Sequence, residues 1–334
     1  MSSKNSPFDF RSKIPVPPHP IKRSEPLPWQ RPKPSEDDPG ASHRVQALLH
    51  SPTYIPAEDD KHFMERDELR GVRLQIEYLK PEILLEQHRI RHTIVVYGST
   101  RICEPTAARR NLARLHTERA ANPDSPGLKT RIKIAEQILE KSRFYDVARE
   151  FGQLVSRVNE TRSDHNRLVI MTGGGPGIME AANRGAFDVG AKNVGLNISL
   201  PHEQYPNPYI TPELCFSFHY FALRKMHLLL RARALIVFPG GYGTFDEMFE
   251  VLTLIQTRKI KPIPVILVGE AFWRRAIDMD FMVDEGVIDR EDRELFWFAE
   301  SADEIWNGIL HWHDASGEPL DPRAAEAPAN PKNR

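Results

Sequence analysis

Ala234-Leu235-Ile236-Val237-Phe238-Pro239-Gly240-Gly241-Tyr242-Gly243-Thr244-Phe245-Asp246-Glu247 is the stretch that decides the fold. Ala234 to Phe238 is a short unbroken apolar run, the pattern of a strand covered on both faces. Pro239 ends it, three glycines follow, and an amphipathic helical run extends from Phe245 to Gln256. A strand that passes through a glycine turn into a helix builds an anion site. Glycine lets the backbone approach a ligand closely, and the unpaired amides and dipole at the helix start attract a phosphate. Glu247 falls inside the first helical turns, beside that cradle. A carboxylate is a poor phosphate ligand there but a useful catalyst.

The same grammar recurs outward from this stretch. Thr93 to Tyr97 reads as a buried strand entering Gly98-Ser99-Thr100, and Leu168 to Met171 as another entering Thr172 to Gly177, with a helix from Ile178 to Asp188. Asn193 to Leu200 and Ile263 to Val268 are further strands. Helices are predicted near Phe218 to Arg233, Ala271 to Val283 and Ala302 to Trp312. This alternation predicts an α/β fold: a doubly wound, Rossmann-like parallel sheet with helices on both faces and N-terminal helical additions. Ligands of such sheets sit beyond the carboxyl ends of the strands, so the three glycine turns converge on one edge.

The first 40 residues hold ten prolines among charged and small residues, which predicts a proline-rich mobile arm over residues 1–59. A helical extension follows over 60–90, with a helix from Asp60 to about Leu84 that Pro81 or the Glu86–Arg91 turn separates from the core. The Rossmann-like domain spans 91–315 and carries a helical insertion at about 103–164, with helices at Thr106 to Ala121 and Leu128 to Val158. Residues 316–334, rich in Pro, Ala and charge, read as a disordered tail.

A net charge of −1 gives no electrostatic reason to expect nucleic acid. No apolar run approaches the roughly 20 residues that span a bilayer, so no membrane is expected. The N-terminal stretch lacks the apolar core of a secretory signal, and Cys103 and Cys215 are too few for a disulfide framework; a cytoplasmic setting is expected. Gly173-Gly174-Gly175-Pro176-Gly177 does not complete a GxGxxG fingerprint, and Asn193 and Asn197 stand where a ribose-binding acid is sought. No GK[ST] follows the glycines, which excludes a Walker loop. His311-Trp312-His313 has no third partner for a metal, so none is expected, and His219 and His227 read as ordinary helix residues. On spacing alone Arg224 and Lys225 read as solvated side chains beside the apolar face of their helix.

Three segments together, GGGPGIME from Gly173, FALRK from Phe221 and PGGYGTFDE from Pro239, resemble the Lonely Guy family. These are cytokinin riboside 5′-monophosphate phosphoribohydrolases, which also carry the older label lysine decarboxylase-like. The family's PGGxGTxxE motif is matched from Pro239 to Glu247 without a departure, and its Arg-Lys pair by Arg224 and Lys225. The proline-rich arm, the helical insertion and the run from Asn197 to Gln204 depart from the compact family members, and that last run resembles the longer type of member. The resemblance implies hydrolysis of the N-glycosidic bond of a nucleoside 5′-monophosphate, AMP or an N6-modified AMP, to free base and ribose 5-phosphate.

In that picture Glu247 stabilises the positive charge growing on the ribose, and Arg224 contacts the phosphate or the departing base. The phosphate rests on Gly240, Gly241, Gly243 and Thr244, with Gly174, Gly175 and Gly177 on the other side. Ser99, Arg101 and Lys225 are further candidates. With an ordinary carboxyl pKa, about 4.3, Glu247 is ionised at neutral pH. The decarboxylase label implies pyridoxal phosphate, for which the sequence offers no constellation, so no cofactor is expected. The resemblance also implies a homodimer or larger homo-oligomer. The alternative is a non-catalytic nucleotide-binding or carrier module on the same scaffold, which would gain nothing from pairing Arg224 with Glu247.

Overall fold

The computed structural model describes residues 15–320 apart from 24, 28, 29, 31, 124, 160, 161, 163–165 and 202–204. Two compact units result, Met1–Arg70 and Gly71–Arg334. In the first, helices form at Ala41–Leu49 (α1) and Lys61–Met64 (α2), and the Asp60 side chain caps α2 by accepting from the Phe63 amide. α1 lies inside the stretch expected to be an extended arm. No proline stands between Pro39 and Pro52, and a segment with Ala, Leu and Gln and no breaker follows its helix propensity. Residues 1–14 of the expected arm and 321–334 of the expected tail lie outside the described residues.

From Gly71 the second unit carries α3 (Arg70–Gln87), which runs through Pro81; the separating turn lies just beyond, where Arg89 adopts a φ of 59°. β1 (His92–Tyr97), α4 (Pro105–Ala121), α5 (Leu128–Lys141) and α6 (Arg143–Val158) follow. Then come β2 (Leu168–Thr172), α7 (Ile178–Asp188), β3 (Asn193–Ile198), β4 (Cys215–Phe218) and α8 (Phe221–Leu230). The chain continues through β5 (Ala232–Val237), α9 (Tyr242–Gln256), β6 (Val265–Val268), α10 (Glu270–Ala276), α11 (Met279–Asp284), β7 (Trp297–Ala299) and α12 (Ala302–Ala315).

The seven strands stand in the order β4-β3-β2-β1-β5-β6-β7, and all pairs are parallel. The order reverses between β1 and β5, the switch point where a doubly wound sheet leaves a crevice at its carboxyl edge. The sequence reading lacked β4 and β7. They are edge strands of four and three residues, too short to show a period.

Alternation along the strands builds two cores. Ile94 and Val96 of β1 face Phe151, Ala182 and Ile305, from α6, α7 and α12. Val95 and Tyr97 face the opposite way, toward Leu228 of α8 and Met248 of α9. α6 was expected within the insertion, but Phe144, Tyr145 and Phe151 bury it in the first core as the crossover from β1 to β2. The added piece is α4 and α5, which share a small cluster of their own around Leu115, Leu128 and Ile132. The expected single helix from Leu128 to Val158 is broken at Ser142, whose hydroxyl donates to the Leu139 carbonyl at 2.7 Å.

Candidate active site

The loops after β1, β2 and β5 are stitched together by backbone hydrogen bonds. The Ser99 amide donates to the Pro239 carbonyl at 2.9 Å, and the Ile178 amide donates to the Ser99 carbonyl at 3.2 Å. Gly177 makes the second stitch possible. Its φ is 75°, and a Cβ there would run into the backbone of Ser99 and Thr100.

A cavity of about 600 Å³ opens at the carboxyl ends of β1 and β5. Gly240, Gly241, Gly243, Thr244, Ser99 and Arg101 line it, together with Arg224 and Glu247. α9 starts at Tyr242, ahead of the expected Phe245, and no side chain caps it. Its first internal bond runs from the Phe245 amide to the Gly241 carbonyl at 3.1 Å. The amides of Tyr242, Gly243 and Thr244 therefore precede the helical ladder and are available to an anion.

Arg224 corrects the reading of a solvated side chain: it is 8 % exposed. Its Nε donates to the Leu196 carbonyl of β3 at 2.8 Å, and its Nη1 lies 3.5 Å from Glu247 Oε1. Gly173 gives the guanidinium its room, because a Cβ at that position would collide with Nη2. Glu247 sits in the second turn of α9 and is 7 % exposed. Burial pushes its carboxyl up to about 7, outweighing the pull of Arg224 and Lys225 in the other direction. The expected ordinary pKa is thus overturned, because the spacing of a sequence carries no information on desolvation.

Lys225 turns away from the cavity wall and bridges α8 to α9, with Nζ 2.8 Å from Asp246 Oδ2 and 3.2 Å from Glu250 Oε2. Burial works against its charge, but the hydrogen bonds to these two acids leave its pKa raised. A Schiff-base lysine needs a neutral amine, so Lys225 does not fit pyridoxal phosphate chemistry.

Gly174, Gly175 and Gly177 are not in the lining of this cavity. The carbonyls of Gly174 and Gly175 both accept from Asn207 Nδ2 at 3.2 Å, and the same amide group donates to Asn183 Oδ1 at 3.0 Å. Thr172 donates to Asn183 Oδ1 at 2.7 Å, and Asn183 Nδ2 donates to Asn193 at 2.8 Å, which completes a buried polar network under the second loop. Sequence reading missed Asn207 because it stands in a Pro- and Asn-rich loop remote from any motif. It also missed Tyr97 and Lys141, which line the cavity from the end of β1 and the end of α5. The Tyr97 hydroxyl is buried and has no hydrogen-bond partner among the described residues.

His219 precedes α8 instead of lying on it, and Cys103 and Cys215 are half-buried. The end of the run from Asn197, His202-Glu203-Gln204, lies outside the described residues. Among the described residues no group of His, Cys, Asp or Glu could hold a metal ion, and no helix is long and apolar enough to cross a membrane.

Comparison with known proteins bears on this geometry. A family model described as "Possible lysine decarboxylase" matches residues 179–309, which include Arg224 and Glu247. A cytokinin riboside 5′-monophosphate phosphoribohydrolase of Arabidopsis thaliana is 30% identical over 171 residues, covering 49% of this chain and 74% of the relative. The chain belongs to the Lonely Guy family. A second Arabidopsis thaliana member of that name is 29% identical over 171 residues, with 50% of this chain and 74% of the relative covered. A rice (Oryza sativa subsp. japonica) Lonely Guy protein of the same name is 28% identical over 169 residues, 49% of this chain and 65% of its own. The solved structure of the structural-genomics target TM1055 aligns at 20% identity and a TM-score of 0.40, over 65% of this chain and 98% of that one.

Proposed function

We propose that the chain hydrolyses the N-glycosidic bond of a nucleoside 5′-monophosphate, releasing the free base and ribose 5-phosphate. The observation that carries this reading is the buried Arg224–Glu247 pair, 3.5 Å apart, beside an uncapped helix start in one cavity. A plain phosphate binder gains nothing from a buried acid next to its cradle. The relatives' names, phosphoribohydrolases of a riboside monophosphate, point the same way.

The 5′-phosphate sits on the amides of the Gly240–Thr244 turn, with the Thr244 hydroxyl within the same wall. Holding the phosphate supplies remote binding energy that fixes the ribose against Glu247. As the C1′–N bond lengthens, the carboxylate faces the positive charge that builds on the sugar. Water then adds to C1′, its proton passes to Glu247, and the departing base takes up a proton from solvent. A carboxyl group tuned close to neutral pH suits a proton acceptor better than an ordinary one. Arg224 holds Glu247 in place and is within reach of the phosphate or the base. Ser99 and Arg101 serve as contacts from the first loop. Phe221 and Leu230 of α8 remain about half exposed, at 52% and 50%, and supply the apolar surface for a homodimer.

Incubation with a panel of nucleoside 5′-monophosphates, followed by chromatography for free base, tests the proposal. Release is expected from AMP or an N6-modified AMP, with adenosine far slower. Base from none of the panel refutes catalysis and leaves nucleotide binding.

A further inference from the structure

β1 ends on Tyr97, whose ring faces the side of the sheet covered by α8 and α9, in one core with Leu228 and Met248. Leu228 stands one turn after Arg224 on α8, and Met248 follows Glu247 on α9. Tyr97, Arg224 and Glu247 also line one cavity. Tyr97 is 5 % exposed, yet its hydroxyl has no hydrogen-bond partner among the described residues.

A buried hydroxyl without a partner carries a desolvation cost that a phenylalanine would avoid. The ring alone would fill the core equally well, so packing does not account for the oxygen. Burial first, and the Glu247 carboxylate next, hold the phenol proton well above its ordinary range. The hydroxyl is therefore a lasting donor and not a base at any pH where the fold is used.

Other donors near Glu247 are largely engaged. Lys225 of α8 is taken by Asp246 and Glu250 of α9, and Arg224 spends its Nε on the Leu196 carbonyl. What Arg224 leaves for Glu247 is a single contact at 3.5 Å. Arg101 and Lys141 border the same cavity from the loop after β1 and from α5. A carboxylate that forms in so buried a place gains strongly from one more donor.

We propose that Tyr97 is a positioning residue for Glu247: its hydroxyl turns to the carboxylate as that group ionises and holds it against the ribose. The proposal rests on the hydrolase reading of the site. The phenol then supplies the bond that the long Arg224 contact does not, and the cost of leaving it unmatched is recovered when the acid is charged.

Tyr97→Phe removes only the oxygen. Base release from AMP is expected to fall about tenfold at its high-pH plateau, the weight of one hydrogen bond to a charged group. The pH midpoint of the rate should move up by about one unit, with KM unchanged. The thermal melt should hold or rise, because no hydrogen bond is lost. Tyr145→Phe is the control. That hydroxyl donates to Glu180 at 2.8 Å, so its loss should lower the melt and leave the pH midpoint in place. An unchanged midpoint and plateau in Tyr97→Phe, or an equal change in Tyr145→Phe, overturns the proposal and leaves the hydrolase reading standing. Carbon-13 NMR of the carboxyl groups, with Glu247→Gln to assign the signal, reads the same midpoint without turnover. If no monophosphate yields base but the Glu247 signal titrates higher in Tyr97→Phe, the hydrolase reading falls and the coupling of Tyr97 to Glu247 stands.

Discussion

Arg224 Nη1 stands 3.5 Å from Glu247 Oε1 with both side chains almost closed off from water, yet the guanidinium does not hold the carboxyl low. A bidentate pair at shorter distance would keep Glu247 ionised well into acid. Here one long contact loses to desolvation, because the Arg224 fork is partly spent on the Leu196 carbonyl. The looseness of the pair is what leaves a carboxyl that titrates near neutral pH.

Glu247→Gln keeps the size of the side chain and removes its charge. Base release from AMP is expected to fall by about 10²–10⁴, the usual weight of a general acid or base. Far-UV circular dichroism should be unchanged. Turnover close to that of the unmodified chain would take Glu247 out of the mechanism.

The rate should depend on pH in a defined direction. In the proposed mechanism Glu247 acts as the carboxylate, and burial pushes its pKa up to about 7. Activity is therefore low at pH 5, rises through about pH 7 and levels off above it. A profile already flat from pH 5 upward would show that the group titrates elsewhere.

The same shift has a consequence for stability. An unfolded Glu loses its proton near 4.5, the folded one near 7, so between these values the folded chain binds the extra proton. Stability then falls as pH rises through this window, by on the order of 3 kcal/mol at most. Denaturant titrations without phosphate at pH 5 and pH 8 should record this decline. In Glu247→Gln the part due to this residue disappears.

Gly173→Ala tests the packing around the guanidinium. The added methyl would collide with Arg224 Nη2 and come within 3.0 Å of Met179 Sδ. Displacing Arg224 should lower kcat by about 10²-fold, as misplacement of about 1 Å can. Full activity in this variant would show that Arg224 needs no fixed position.

Asn207→Ala removes the donor to the Gly174 and Gly175 carbonyls and to Asn183. The Gly174 carbonyl keeps the Asn207 backbone amide and Asn183 Oδ1 keeps the Thr172 hydroxyl, so the loss falls on the Gly175 carbonyl and should cost about 1–3 kcal/mol in a denaturant titration. An unchanged midpoint would mean that water replaces the amide without penalty.

Much of this was legible in the residues. The apolar runs at Ile94–Val96, Leu168–Met171 and Leu235–Val237 announced central strands, because strands covered on both faces need continuous hydrophobicity. The Pro239–Glu247 stretch announced the helix start and the acid beside it. The edge strands β4 and β7 stayed hidden because three or four residues carry no period. Lys141 stayed hidden because its place in the cavity wall depends on how α5 docks, which no local pattern encodes. Arg224 was misread because a helix wheel ranks it by its neighbours, whereas β3 supplies the carbonyl that makes its burial tolerable. The resemblance set Gly174 and Gly175 across from the phosphate; their carbonyls accept from Asn207, which stands in the loop after β3 where no motif marks it.

The stitch from Pro239 through Ser99 to Ile178 means that the floor of the cavity is one continuous piece of main chain chemistry, complete before any ligand arrives. Binding need not assemble it, and side-chain drift cannot unpick it. Diversification of what the pocket accepts is then left to the walls that are not stitched, such as α5 and α10. On that view the floor is fixed by the backbone, and the rim is where a change of side chain can alter what binds.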